Sequence, residues 1–295
     1  MDDFWVVGGP SSPDLSLKIS EELRARHLMC ESKLFPDGES YIRIPEQWVP
    51  KYSVVVQSTC PPQDRNLMQL CLISDKLREL GSKVVAVVPY LAYARQHREY
   101  MPGESVSIRF VAKMLESAGV VRLVTIDIHN VEGLGYFTIP ANSLSAVPLL
   151  ADHLKQKLEG NRCVVVAPDE GARIRVETLA TQLETDYLVL QKSRDRSTGE
   201  VISDLADKGR LDGRTAIILD DLVSTGGTIA KASAILKSRG VSKVIVACTH
   251  ALLADGAMER MTAAGVQEFI ATDTVPSQYS TVSVARTVSE FIKRL

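Results

Sequence analysis

Short, continuously apolar runs recur along the chain, separated by stretches long enough for a helix. Residues 4–7, 53–57, 83–88 and 121–127 form such runs in the first half, and residues 163–167, 187–190, 215–220, 243–249 and 267–271 in the second. Most are apolar at nearly every position rather than at alternate ones, the pattern of central strands in a parallel sheet covered on both faces. Between them the apolar residues take a helical period. Leu70, Ile73, Leu77 and Leu80 share one face of a segment that stops at Gly81. Val111, Met114 and Leu115 precede Gly119, and Ile229, Ala232, Ile235 and Leu236 precede Gly240. A glycine just beyond the last periodic residue is a helix stop, because it takes the left-handed conformation without a Cβ penalty. Strands and helices in alternation predict an α/β chain of mainly parallel sheets flanked by helices.

The pattern breaks at residues 136–146, where Pro140 and small polar residues follow Gly135. Two domains are expected, 1–142 and 143–282, each large enough for its own core. The tail 283–295 has Val284, Val288, Phe291 and Ile292 on one helical face and is expected to pack back on a domain surface, the first domain being the candidate. Residues 34–44 depart from the scheme. Asp37-Gly38 is a turn signal followed by alternating apolar positions, which predicts an antiparallel hairpin projecting from the first domain.

Composition narrows the function. Of 295 residues 45% are hydrophobic and 24% charged, which excludes wholesale disorder and collagen-like repetition. A net charge of -2 gives no electrostatic footprint for nucleic acid or an anionic membrane, so any phosphate chemistry must come from local clusters. The longest apolar stretch, 84–94, is interrupted by Pro89 and falls short of the roughly 20 residues that span a bilayer. Met1-Asp2-Asp3 lacks the basic start of a secretory leader. The five cysteines form no CxxC pair and are read as small buried apolar residues of a cytoplasmic protein, not as a zinc site.

The strongest chemical signal is at 217–228, where an apolar strand ends in Asp220 and Asp221 and a loop of small residues, Ser224, Thr225, Gly226, Gly227 and Thr228, opens a helix. In open α/β sheets ligands bind at the carboxyl ends of strands, and a glycine loop at a helix amino terminus offers backbone N–H groups to a phosphate. The adjacent acids suit two vicinal sugar hydroxyls, so a ribose 5-phosphate fits. A capped turn whose acids merely start a helix is the blander alternative. The spacing is not that of a P-loop. Four other segments carry polar residues after apolar runs. Arg95 and Gln96 lie in an aromatic, cationic stretch suited to phosphate. Asp127-Ile128-His129 ends one run, and Asp169, Glu170, Gly171, Ala172 and Arg173 follow another. A histidine and a carboxylate so placed suit Mg²⁺, which takes one or two protein ligands and keeps waters. Lys192, Ser193 and Arg194 open a polar loop that, taken alone, reads as solvated surface.

The array at 220–228 resembles the phosphoribosyl-binding motif of the phosphoribosyltransferase fold. The motifs taken together, in this order and over essentially the whole chain, resemble the ribose-phosphate pyrophosphokinase (phosphoribosyl pyrophosphate synthetase) family. That resemblance implies two phosphoribosyltransferase-like domains and transfer of the diphosphoryl group of Mg-ATP to the 1-hydroxyl of ribose 5-phosphate. It implies that Phe35, Asp37, Gly38 and Glu39 hold adenine at a site shared with a neighbouring subunit of a self-associated enzyme, and that Arg95 and Gln96 bind ATP. His129 and Asp169 would help hold Mg²⁺, with 169–173 as the pyrophosphate loop. Lys192 and Arg194 would stabilise the transition state, and Arg194, Asp220, Asp221 and the 224–228 loop would hold ribose 5-phosphate. The departures are small: Ala172 stands where the family often has a second glycine, His97 where many relatives have an acid, and Ser224 where bacterial relatives often have Asp. The chain is shorter than typical bacterial and animal members and in this resembles archaeal ones. A non-catalytic regulatory homologue would be expected to have lost ATP or loop residues that are present here. A phosphoribosyltransferase consuming the product would not explain the Phe35 hairpin or Arg95-Gln96. A DNA-binding regulator would show a helix-turn-helix or basic stripe.

Overall fold

The protein is described here by a computed structural model covering residues 4–158, 162–194, 201–205 and 211–295, with the side chains of 191–194 and 201–205 outside the description. The chain divides into two compact units. The first comprises the residues up to Ser145 together with Thr274–Pro276 and Ser283–Leu295. In chain order it holds β1 (Phe4–Gly8), α1 (Pro13–Leu23), β2 (Arg26–Met29), β3 (Glu31–Leu34), β4 (Ser40–Arg43), β5 (Tyr52–Val56), α2 (Gln63–Glu79), β6 (Lys83–Val88), α3 (Ser107–Ser117), β7 (Val120–Ile126) and β8 (Ala141–Leu144). Six of these strands form a wholly parallel sheet in the order β2-β1-β5-β6-β7-β8. Val54, Val55 and Val56 of β5 and Val84 and Ala86 of β6 are fully buried. That explains their unbroken apolar runs: a strand covered on both faces has no solvent side to fill with polar residues. β3 and β4 pair antiparallel as a separate hairpin across the Asp37-Gly38 turn.

The second unit comprises Ala146–Asp273 and Ser277–Val282. It holds α4 (Val147–Lys157), β9 (Cys163–Ala167), α5 (Arg173–Gln182), β10 (Tyr187–Arg194), β11 (Val201–Leu205), β12 (Thr215–Val223), α6 (Gly227–Ser238), β13 (Lys243–Ala251), α7 (Ala257–Ala263), β14 (Glu268–Thr272) and β15 (Ser280–Val282). Its seven strands run in the order β11-β10-β9-β12-β13-β14-β15, parallel except where β11 pairs antiparallel with β10. Alternate residues feed two separate cores. Val164, Val166, Ile218, Val244 and Val246 pack on one face, and Val165, Ala167, Ile217, Leu219, Ile245 and Ala247 on the other. The period of two set by the pleat therefore appears in the packing although it is hidden in the sequence, where both faces are apolar.

The chain then returns to the first unit. Ser58 Oγ donates to the Thr274 carbonyl at 2.7 Å. The last helix, α8 (Ala285–Ile292), packs against α1 with Val288 and Ile292 buried, and Ser289 Oγ reaches the Ile19 carbonyl at 3.5 Å. The helix stops at Gly81, Gly119 and Gly240 all adopt positive φ, 90°, 94° and 88°. The five cysteines are free thiols and four are buried; burial pushes Cys30 and Cys71 up to about 11, which makes them poor nucleophiles. Among the described residues no helix is long and apolar enough to cross a membrane.

Candidate active site

In the second unit, β12 and β13 run side by side through the core, and β12 carries Asp220 and Asp221 near its carboxyl end. Successive strand residues point to opposite faces, and the two acids occupy different environments. Asp221 is 4% exposed, and Arg175 of α5 lies 3.5 Å from its Oδ2. Asp220 is half-buried, and its Oδ1 accepts the Asp221 N–H at 2.9 Å. Burial first, then the charge of Asp221, a hydrogen bond with the Asp221 carboxyl and the charge of Asp169 push the Asp220 carboxyl up to about 8. Behind it Cys248, paired in register with Asp220, is fully buried and its thiol is pushed well up by burial and by both acids.

The loop after β12 is held from beneath by backbone. The N–H groups of Leu252 and Leu253 donate to the Val223 carbonyl at 3.0 and 3.1 Å, that of Ala254 to the Ser224 carbonyl at 3.0 Å, and Arg260 of α7 donates to the Thr225 carbonyl. Gly226 then caps α6 in the left-handed conformation, φ 71°, and the Ala230 N–H closes the first helical bond to its carbonyl at 2.8 Å. A Cβ on Gly226 would lie 2.9 Å from Met261 Cγ and 3.0 Å from the Ala257 carbonyl oxygen, so both conformation and space require glycine there. Thr225 and Thr228 are exposed and Gly227 is open, with only Thr225 Oγ1 near it. The loop thus presents hydroxyls and the unpaired N–H groups of a helix start on its outer side.

The 169–173 segment begins after β9. Asp169 caps a single 3₁₀ turn by accepting the Gly171 N–H at 3.1 Å, and Arg173 pairs with Glu170 through two hydrogen bonds, one of 2.8 Å. Ala172 is 1% exposed and belongs to the core with Val176 and Leu179. Its methyl packs inward, so the alanine that replaces a family glycine takes no room from the outer face of the loop. Arg175 was not singled out from sequence. Its Nη1 donates to the Gly171 carbonyl at 3.2 Å while Nη2 faces Asp221, so one side chain ties this loop to the twin acids. A buried aspartate needs a cationic partner, and asking what answers Asp221 would have pointed to it. Lys192 and Arg194 lie on β10, opposite Ser203 and Val201 of β11. Their side chains lie outside the described residues.

In the first unit, the hairpin turn is closed by Phe35 N–H to the Glu39 carbonyl and Gly38 N–H to the Phe35 carbonyl, both 2.9 Å, and Asp37 Oδ1 accepts the Glu39 N–H at 3.2 Å. Phe35 is 41% exposed, edge-on to Tyr41, with Lys33 Nζ 5.3 Å from its ring centre. Arg95 is exposed, and Gln96 Nε2 donates to Glu104 Oε2 at 2.9 Å. His129 is exposed at the end of the run that continues from β7. Non-glycine residues in the left-handed region stand close to these segments: Tyr93 (φ 69°) two residues before Arg95, Asp127 (φ 35°) two before His129, and Leu253 (φ 46°) beneath the 224–228 loop. Such conformations persist only where surroundings enforce them, and they concentrate at functional sites.

Among the described residues no group of three or more His, Cys, Asp and Glu side chains could hold a metal ion on protein ligands alone. Mg²⁺ does not need one, since it is held by one or two carboxylates, waters and substrate phosphates. The acids of this unit fit such an ion. Asp169 raises the pKa of Asp220 through its charge, so the two carboxyls stand near enough for one cation to act on both.

Residues 4–119 match the family model described as the N-terminal domain of ribose phosphate pyrophosphokinase, and residues 139–283 match the phosphoribosyl transferase domain. A ribose-phosphate pyrophosphokinase of Sulfolobus acidocaldarius is 39% identical over 291 residues, covering 98% of this chain and 99% of the relative. One of Methanopyrus kandleri is 40% identical over 291 residues with the same coverage. The crystal structure of phosphoribosylpyrophosphate synthetase from Mycobacterium smegmatis matches with a TM-score of 0.87 at 29% identity, covering 99% of this chain and 98% of that one. Both units therefore carry the phosphoribosyltransferase-type fold, and the chain belongs to the ribose-phosphate pyrophosphokinase family.

Proposed function

We propose that this protein transfers the diphosphoryl group of Mg-ATP to the 1-hydroxyl of ribose 5-phosphate in the cytoplasm, giving 5-phosphoribosyl 1-pyrophosphate and AMP for nucleotide biosynthesis. The observation that carries the reading is the β12–loop–α6 array. Gly226 is locked at φ 71° against Met261 and Ala257, and the loop opens onto a helix amino terminus just past the half-buried Asp220. The 5-phosphate is assigned to the N–H groups and hydroxyls of Ser224, Thr225, Gly226, Gly227 and Thr228, where the helix dipole favours an anion. Asp220 accepts from the ring hydroxyls, with Asp221 beside it braced by Arg175. Two vicinal hydroxyls donating to Asp220 favour its charged form and offset the burial that otherwise keeps it protonated.

The 1-hydroxyl oxygen gives up its proton to solvent and forms a bond to the β-phosphorus, the bond from that phosphorus to the oxygen it shares with the α-phosphate breaks, and AMP leaves with that oxygen. Such transfers need placement and charge stabilisation more than covalent help. Lys192 and Arg194, by resemblance, supply positive charge to the transferring oxygens, and Arg194 also contacts the sugar phosphate. Arg95 and Gln96 bind the nucleotide, and the 169–173 loop receives pyrophosphate oxygens. Mg²⁺ is assigned to Asp169, whose carboxylate oxygen is the donor this ion prefers, and to His129 by resemblance; when bound it neutralises phosphate charge. The exposed Phe35 hairpin, with Asp37, Gly38 and Glu39, is assigned to adenine in a neighbouring subunit's site, which makes the working enzyme an oligomer.

Incubation with ATP, Mg²⁺ and ribose 5-phosphate, followed by separation of nucleotides, tests the assignment. AMP formed one-for-one with a new pentose diphosphate ester is the expected result. ADP in its place makes the protein an ordinary kinase, and absence of turnover favours a regulatory homologue.

A further inference from the structure

His97 sits in the segment between β6 and α3, directly after Arg95 and Gln96, yet its ring is buried, 6% exposed. Asn130, which follows His129, holds it from the neighbouring strand end. Asn130 Oδ1 accepts the Glu132 N–H at 2.8 Å, capping the 3₁₀ turn Val131–Tyr136, and this fixes the amide so that Nδ2 faces His97 Nε2 at 2.9 Å. Nε2 therefore accepts, and the ring proton of a neutral imidazole lies on Nδ1, 3.4 Å from Tyr100 Oη. The Glu132 carboxylate also lies 3.4 Å from Nε2 but is 69% exposed. From the other end of the same turn, Tyr136 Oη donates to the His97 carbonyl at 3.0 Å. One residue is thus gripped at ring and backbone by the element that begins beside His129.

We propose that His97, through Asn130, is a positioning residue for the nucleotide, holding Arg95 and Gln96 in fixed relation to the His129 end of β7. The proposal rests on the assignment of Arg95 and Gln96 to ATP. Neither His97 nor Asn130 touches substrate in this scheme. A missing tie lets the 95–96 segment shift, which weakens ATP capture before it affects chemistry. An interaction shared by two side chains is removed once, whichever partner is lost, so the two substitutions are non-additive.

The test is steady-state kinetics of His97→Ala, Asn130→Ala, the double variant and His97→Gln, beside Arg95→Ala. The expected result is a KM for ATP raised about five- to tenfold in each single alanine variant, as for loss of a partly buried hydrogen bond. The double variant is no worse than the worse single, and kcat and the KM for ribose 5-phosphate stay within about twofold. His97→Gln, whose amide oxygen can accept from Asn130 Nδ2, recovers most of the loss. A KM for ATP unchanged in His97→Ala and Asn130→Ala while Arg95→Ala raises it overturns the positioning role and leaves the ATP assignment standing, even if melting temperature falls. An unchanged KM in Arg95→Ala overturns the assignment beneath it. Should His97→Ala not fold, Asn130→Ala compared with His97→Gln decides the same question.

Discussion

Gly226 concentrates the requirements of the proposed sugar-phosphate site in one residue. An alanine there meets a left-handed backbone, costing about 1–2 kcal/mol, and a Cβ 2.9–3.0 Å from Met261 and the Ala257 carbonyl. Gly226→Ala is expected to lower urea stability and to raise the KM for ribose 5-phosphate at least about tenfold, the loop having to shift to admit the methyl. An unchanged KM would remove this loop from phosphate binding. Asp220 makes a second test. Its carboxyl is raised from the ordinary 3.8 to about 8, so between those values the folded protein keeps a proton that the unfolded chain has released. Stability without ligand therefore falls as pH rises through that window. Asp220→Asn removes the titration, so its melting temperature should gain on the wild type steadily from pH 5 to pH 8; parallel melting curves would contradict the raised pKa. Sequence showed the twin acids as alike. Their separation into a half-buried acid and one braced by Arg175 comes from the pleat and from α5, neither of which is visible in an Asp-Asp pair.

At the scale of elements, the apolar runs located β1, β5, β6 and β7 of the first sheet and β9, β10, β12, β13 and β14 of the second, which are its interior strands. They missed β2, β8, β11 and β15, and these are the four edges. The reason is physical: an edge strand has one row of backbone groups unpaired and is short or polar, as Ala141-Asn142-Ser143-Leu144 is, so it leaves no apolar run to read. The Asp37-Gly38 turn signal, with the alternating apolar positions after it, located the β3–β4 hairpin. Because that hairpin forms its own two-stranded sheet and exposes Phe35, truncating the ring should barely disturb the core. Phe35→Ala is expected to raise the KM for ATP about tenfold or more, with the melting temperature within about 2 °C of wild type. A large loss of stability with normal ATP affinity would make the hairpin structural.

For the molecule as a whole, six short motifs in family order were legible because the chemistry of phosphate and ribose confines residue type at strand ends. The ties between motifs were not legible. Arg175, Arg260 and the His97–Asn130 bond join segments distant in sequence, and no local pattern announces them. Lys192 is the residue whose proposed role depends most on the whole assembly of substrates. Lys192→Ala is expected to lower kcat by about two to three orders of magnitude, with KM values changed only a few-fold, as for a charge felt mainly in the transition state; near-normal kcat would take that strand end out of the mechanism.

The most direct measurement is a crystal structure of the protein soaked with ribose 5-phosphate and a non-hydrolysable ATP analogue in the presence of Mg²⁺. The account predicts phosphate density against the N–H groups of Gly226, Gly227 and Thr228 and ring hydroxyls within hydrogen-bond distance of Asp220. Sugar phosphate bound elsewhere, with the 224–228 loop occupied only by water, would contradict it.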